Sequence, residues 1–259
     1  MPSTTPLPKI MVAPNGARRN QAHHPNIPIS DDALVDAVIQ CQKAGADGAH
    51  LHIRDDKGAH LLDANRYRTV LDQLDNSVPE MYLQVTSESA DIYEADQQQA
   101  MMRALNPDYV SVAMREMVRD PSDWSQATSF YHWADSNNVQ IHHILYSLLE
   151  LQAFLSAVSV GHIPGNHHLL QFVLGNYEET SISEPDHVSD FTEMLSTAAT
   201  GLSFDWMVCA FGKMETACLL EAIRQGGKAR IGFENSMWNS DGSVAKDNAE
   251  RVAELVSCL

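Results

Sequence analysis

Cysteine is scarce: Cys41, Cys209, Cys218 and Cys258 are scattered along a chain of 259 residues. No CxxC pair occurs, so neither a zinc ribbon nor a disulfide framework is indicated, and a reducing compartment fits. Basic residues are outnumbered, with 17 Lys and Arg against 34 Asp and Glu and a formal charge of −17. A nucleic-acid duplex or an anionic membrane would repel such a surface, so neither is expected as a partner. The total does not exclude a local cationic pocket. No apolar run approaches the ~18 residues that a membrane-spanning helix requires. The opening "MPSTTPLPKI" lacks a basic region followed by an apolar one, so it does not read as a secretory signal. A soluble cytoplasmic protein is expected.

What is present is an alternation. Short runs rich in β-formers are each followed by a helical pattern. "KIMVA" (9–13) is followed by "DDALVDAVIQCQKAG", with Ser30 placed to cap the helix start and Gly45 to stop it. Further strands are expected at "GAHLHIR", "EMYLQVT", "YVSVAM", "VQIHHILY", "HLLQFVLG", "FDWMVCAFG" and "ARIGFEN". Helices are expected from Asp63, around Tyr93 to Leu105, from near Pro121, over "LLELQAFLSAV", around Asp186 to Ala199, near Glu215 to Arg224, and over the closing "KDNAERVAELVSCL". Eight strand–helix units in this length are the arithmetic of a (β/α)8 TIM barrel, read as one α/β domain over 1–259. An open doubly wound sheet is the alternative, but no GxGxxG follows a strand. The long segment from Pro14 to Ile29 follows the first strand, which places it on the catalytic face of a barrel.

Side chains alternate along a strand, so His50, His52 and Arg54 share the face of "AHLHIR" opposite Leu51 and Ile53. A barrel interior is normally filled by branched apolar residues, and two imidazoles there mark a departure. Alone, the HxH pair reads equally as hydrogen-bonded filler or as two metal ligands. In "ARIGFENS" the same parity groups Arg230, Gly232 and Glu234. Barrel closure sets the last strand beside the first, which lies beside the second, so Glu234 approaches the histidines. Two histidines and a carboxylate form the three-ligand set of an open catalytic zinc site. The competing reading is a Glu234–Arg230 ion pair without metal. Thr86 and Ser111 have inward parity and could bind a carboxylate or carbonyl. Arg18 and Arg19 follow the first strand and suggest an anionic ligand. Their alternative is a solvated loop with ion pairs of little weight. Of His142 and His143 only one can face inward, as a fourth ligand, a proton carrier or a hydrogen-bonded support. "GNHH" (165–168) reads as a loop on the opposite face.

The segments "APNGARR…HPNIPIS", "AGADGAHLHIRD", "RQGGKARIGFEN" and "AKDNAERVAELV" together resemble the β-keto acid cleavage enzyme family, in order and over nearly the whole chain. The resemblance implies an oligomeric (β/α)8 barrel, a dimer or tetramer, with Zn2+ on His50, His52 and Glu234. It implies that Arg230 acts at the keto acid, that a substrate-binding hydroxyl falls at Thr86 or its neighbour Ser87, and that another falls at or near Ser111. Asn15 and Arg18, in the "APNGARR" piece, are further substrate-binding candidates. The implied reaction condenses a β-keto acid with acetyl-CoA and yields acetoacetate and a new acyl-CoA.

The chain departs from the family at three places. Many members have Asp after the metal-binding Glu, as part of the base, whereas this chain has Asn235, an amide that accepts no proton at neutral pH. Members tend to carry an acidic residue in the fifth strand, where this chain has His142 and His143, one of which could supply the base. Where a member acting on an aminohexanoate has a glutamate matched to a cationic tail, this chain has Arg18, which points to an anionic or neutral tail. Two other readings stay open: a metal-dependent aldolase or lyase that needs no CoA, and a non-catalytic barrel that binds a metal-held acid.

Overall fold

A computed structural model describes residues 5–177, 183–198 and 200–259. In chain order the elements are β1 (Ile10–Val12), α1 (Asp31–Ala44), β2 (Gly48–Leu51), α2 (Ala64–Ser77), β3 (Tyr82–Thr86), α3 (Ala95–Leu105), β4 (Tyr109–Ala113), α4 (Met114–Met117), α5 (Trp124–Ser136), β5 (Gln140–Leu145), α6 (Leu148–Ser159), β6 (His167–Leu174), α7 (His187–Ser196), β7 (Ser203–Ala210), α8 (Glu215–Arg224), β8 (Lys228–Ile231) and α9 (Asn248–Ser257). The strands are all parallel and pair in sequence order. Pairing of β1 with β8 through Met11 and Arg230 closes the barrel. This is the expected (β/α)8 fold.

The ends of α1 follow the local chemistry. Ser30 Oγ accepts from Ala33 N, and Gly45 ends the helix at φ 111°, a left-handed conformation that glycine adopts without a Cβ penalty. The short α4 was not expected. The helix expected near Pro121 begins at Trp124, after one 3-10 turn over Pro121–Asp123. "GNHH" is corrected in part: β6 already includes His167 and His168, because both pair with β7.

Two apolar layers follow from strand parity. Outward residues such as Val12, Leu51, Val85, Val110, Phe172 and Val208 pack against the helices in one continuous core. Inward residues at the strand starts form a plug of Leu7, Met11, Tyr82, Leu169 and Met207. Above it the interior turns polar, with His50, Gln84, Ser111, His142, Gln171 and Arg230 all buried. That middle layer is the floor of the site. Among the described residues, no helix is long and apolar enough to cross a membrane.

Candidate metal centre and active site

Both ligand-bearing strands stop earlier than sequence parity suggests. β2 ends at Leu51 and β8 at Ile231, so His52 and Glu234 leave from the turns that follow. Gly232 makes the second turn. Its φ is 142°, and a Cβ there would sit 2.5 Å from Ala13 O. Glu234 N then donates to the same Ala13 carbonyl at 3.1 Å, which fixes the turn to the end of β1. Gly16 lets the loop after β1 lie against the ligand, since a Cβ would meet Glu234 Cγ at 2.5 Å. Arg19 Nη1 donates to Phe233 O at 2.9 Å, and Asn15 Nδ2 donates to His52 O at 2.9 Å. One loop thus braces both ligand backbones.

The three predicted ligands converge. His50 Nε2 and His52 Nε2 are 2.9 Å apart, and Glu234 Oε2 lies 3.5 Å from His52 Nε2 and 3.7 Å from His50 Nε2. One donor atom from each lies within 4.8 Å of the others, and all three residues are buried. Among the described residues, Glu234 Oε2 has no hydrogen-bond partner. Its other oxygen, Oε1, accepts from Arg230 Nη2 at 3.2 Å. The predicted Glu234–Arg230 pair is therefore present, and it leaves one carboxylate oxygen free toward the imidazoles. Burial, chiefly, holds His50 and His52 well below the usual histidine range, so both are neutral and carry lone pairs. Neutral imidazole is the form that ligates metal.

A cavity of about 30 Å³ opens beside these atoms, room for a water-sized group. Thr86, Ser111 and Arg230 line it, with Glu88, Glu116 and Tyr146. Ser111 Oγ donates to Thr86 Oγ1 at 3.4 Å, so the two predicted hydroxyls sit together. The other candidates are placed differently. Ser87 Oγ donates to the Ser111 carbonyl at 2.9 Å, and Asn15 gives its amide to Pro28 O and His52 O, so both support backbone. Arg18 lies at the rim, half exposed, paired with Asp91 at 2.7 Å and 3.8 Å from Glu88. Asn235 is buried, with neither amide atom hydrogen-bonded among the described residues.

The strand-five histidines need correction as candidate bases. His143 faces outward, against Tyr131, Phe154 and His168. His142 faces inward but lies behind Gln84, and burial pushes it down to about 3. The overlooked acidic group is Glu88. Its Oε2 is 3.8 Å from His52 Nε2, and burial, with Glu234 and Glu116 nearby, pushes it up to about 8. Inward parity, continued two residues past Thr86, would have drawn attention to it. The same count would have found Tyr146 after β5 and, in β7, Cys209, whose Sγ is 3.3 Å from Arg230 Nη2.

The chain is similar in sequence and in fold to known proteins. The 3-keto-5-aminohexanoate cleavage enzyme of Acetoanaerobium sticklandii is 24% identical over 93% of this chain and 87% of its own length. The 3-oxoadipate:acetyl-CoA acetyltransferase of Cupriavidus necator is 22% identical over 96% of this chain and 87% of its own. Among solved structures, apo ObcA superposes with a TM-score of 0.67 at 13% identity, over 91% of this chain and 62% of that one, a likeness of fold. The family model described as beta-keto acid cleavage enzyme matches residues 9–259, and the chain belongs to that family.

Proposed function

We propose that this chain is a zinc-dependent enzyme that condenses a β-keto acid with acetyl-CoA, releasing acetoacetate and a new acyl-CoA. The observation that carries the reading is the convergence of two neutral imidazole nitrogens and an unpartnered carboxylate oxygen at one buried point. This donor set fits Zn2+, and His50, His52 and Glu234 would hold it with a position left for substrate. Bound there, the ion supplies a Lewis acid that polarises the keto carbonyl. The names of the relatives, which include an acetyl-CoA acetyltransferase and an acetyl-CoA acetone transferase, support acetyl-CoA as co-substrate.

The remaining steps fall to the chain itself. Arg230 keeps its charge although buried, favoured by Cys209 and Glu234, and its Nε has no partner among the described residues. It orients the keto acid's carboxylate and stabilises charge that develops beside it. Thr86 and Ser111 bind the acid's oxygens. Asn235 accepts no proton, so the α-proton goes to Glu88, whose carboxyl lines the cavity and sits close to neutrality at about 8. Arg18 at the rim favours an anionic tail, as in a keto diacid. Equal turnover of cationic and anionic β-keto acids would count against that preference.

The test is metal analysis of the purified protein with a β-keto acid panel run with and without acetyl-CoA. About one zinc per chain and acyl-CoA formation that requires acetyl-CoA are expected. Cleavage without acetyl-CoA would identify an aldolase or lyase, and tight binding without turnover a non-catalytic barrel.

A further inference from the structure

His50 is one of two adjacent imidazoles, and only one arrangement of its proton leaves Nε2 bare. Its Nδ1 lies 2.8 Å from Gln84 Oε1. A carboxamide oxygen only accepts, so His50 carries its proton on Nδ1. The Gln84 amide is itself held from the other side, with Nε2 3.0 Å from His142 Nδ1. An amide nitrogen only donates, so His142 Nδ1 is bare. All three side chains are at most 2% exposed.

We propose that His142 and Gln84 form a relay that locks His50 in the tautomer with Nδ1 protonated and Nε2 free for metal. His142 thereby has a task that neither ligation nor proton transfer gave it. With Nδ1 bare it accepts from the Gln84 amide and holds that orientation, whereas a His142 protonated on Nδ1 would turn the amide by half a turn, place N–H against His50 Nδ1 and drive the His50 proton onto Nε2. Ligating histidines generally have their second nitrogen fixed in this way. His52 differs, since its Nδ1 is buried without a partner among the described residues.

The inference rests on the metal reading for its purpose but not for its test. ¹⁵N-histidine NMR of the metal-free protein reads each tautomer directly, and calorimetric titration with Zn2+ reads affinity. The wild type is expected to show His50 protonated on Nδ1. Gln84→Met removes the acceptor; a mixed His50 tautomer and Zn2+ affinity weaker by about 10- to 100-fold are expected. Gln84→Glu keeps an acceptor on His50 Nδ1, and a retained tautomer with near-wild-type affinity is expected, which a merely structural role for Gln84 does not predict. His142→Phe frees the amide and is expected to loosen the His50 tautomer as Gln84→Met does. A wild-type His50 protonated on Nε2, or an unchanged His50 tautomer in Gln84→Met, would overturn the relay. A wild type with the expected His50 tautomer but no affinity for Zn2+ would support the relay and remove the metal reading.

Discussion

At the scale of single residues, the candidate site separates groups proposed to hold an ion from a group proposed to react. His50, His52 and Glu234 are fixed by partners or packing, whereas Glu88 faces the cavity with its proton affinity raised. Glu88→Gln keeps the shape and removes the proposed base. Its turnover is expected to fall by about 10²- to 10⁴-fold while zinc content stays at the wild-type level, read by steady-state kinetics beside metal analysis. Unchanged turnover would return the base to another group. Parity placed His50, Thr86, Ser111 and Arg230 correctly because each lies within a regular strand, where alternation is enforced by the pleat. It could not assign Asn15 or Ser87, whose side chains serve backbone carbonyls that no pattern of residue types reveals.

At the scale of elements, the decisive piece is the loop after β1. Arg54 is buried and donates to the carbonyls of Asn15, Gly16, Arg19 and Gly58. One guanidinium thus gathers a loop that lies against Glu234 and bonds to the backbones of Phe233 and His52. A lysine has no planar fork and cannot reach all four carbonyls. Arg54→Lys is expected to cost about 1–3 kcal/mol in chemical denaturation and to weaken Zn2+ binding by about 10-fold in calorimetry. Unchanged metal affinity would show that the loop does not position the ligands. The convergence of Glu234 was legible in the sequence, but the reason given for it was incomplete. Strand parity put Gly232 and Glu234 on one face, yet β8 ends at Ile231. The positive φ of Gly232 turns the chain inward, which parity does not encode.

For the whole molecule, buried ionisable groups set opposing responses to pH. Burial pushes His168 down to about 4, and His143 is held well below the usual histidine range, chiefly by burial and also by His168 and His142. Between pH 6.5 and 4 the unfolded chain binds protons on these residues that the folded chain refuses. The stability they allow is complete above 6.5 and is lost as pH falls, about 3 kcal/mol for His168 alone across that window. Buried carboxyls act the other way. Glu88 at about 8 and Glu215 at about 7 bind protons more tightly folded than unfolded, so their contribution declines as pH rises from 4.5. Between 4.5 and 6.5 the two slopes oppose each other. Replacing His168 by Phe, where it packs against Phe154 and Phe204, removes one of the acid-sensitive groups and leaves the carboxyls. Urea denaturation midpoints of His168→Phe are therefore expected to fall less than those of the wild type on acidification from pH 6.5 to 4.5. Parallel curves for the two proteins would mean that His168 becomes protonated in the folded barrel, and that the layer between β5, β6 and α6 admits charge.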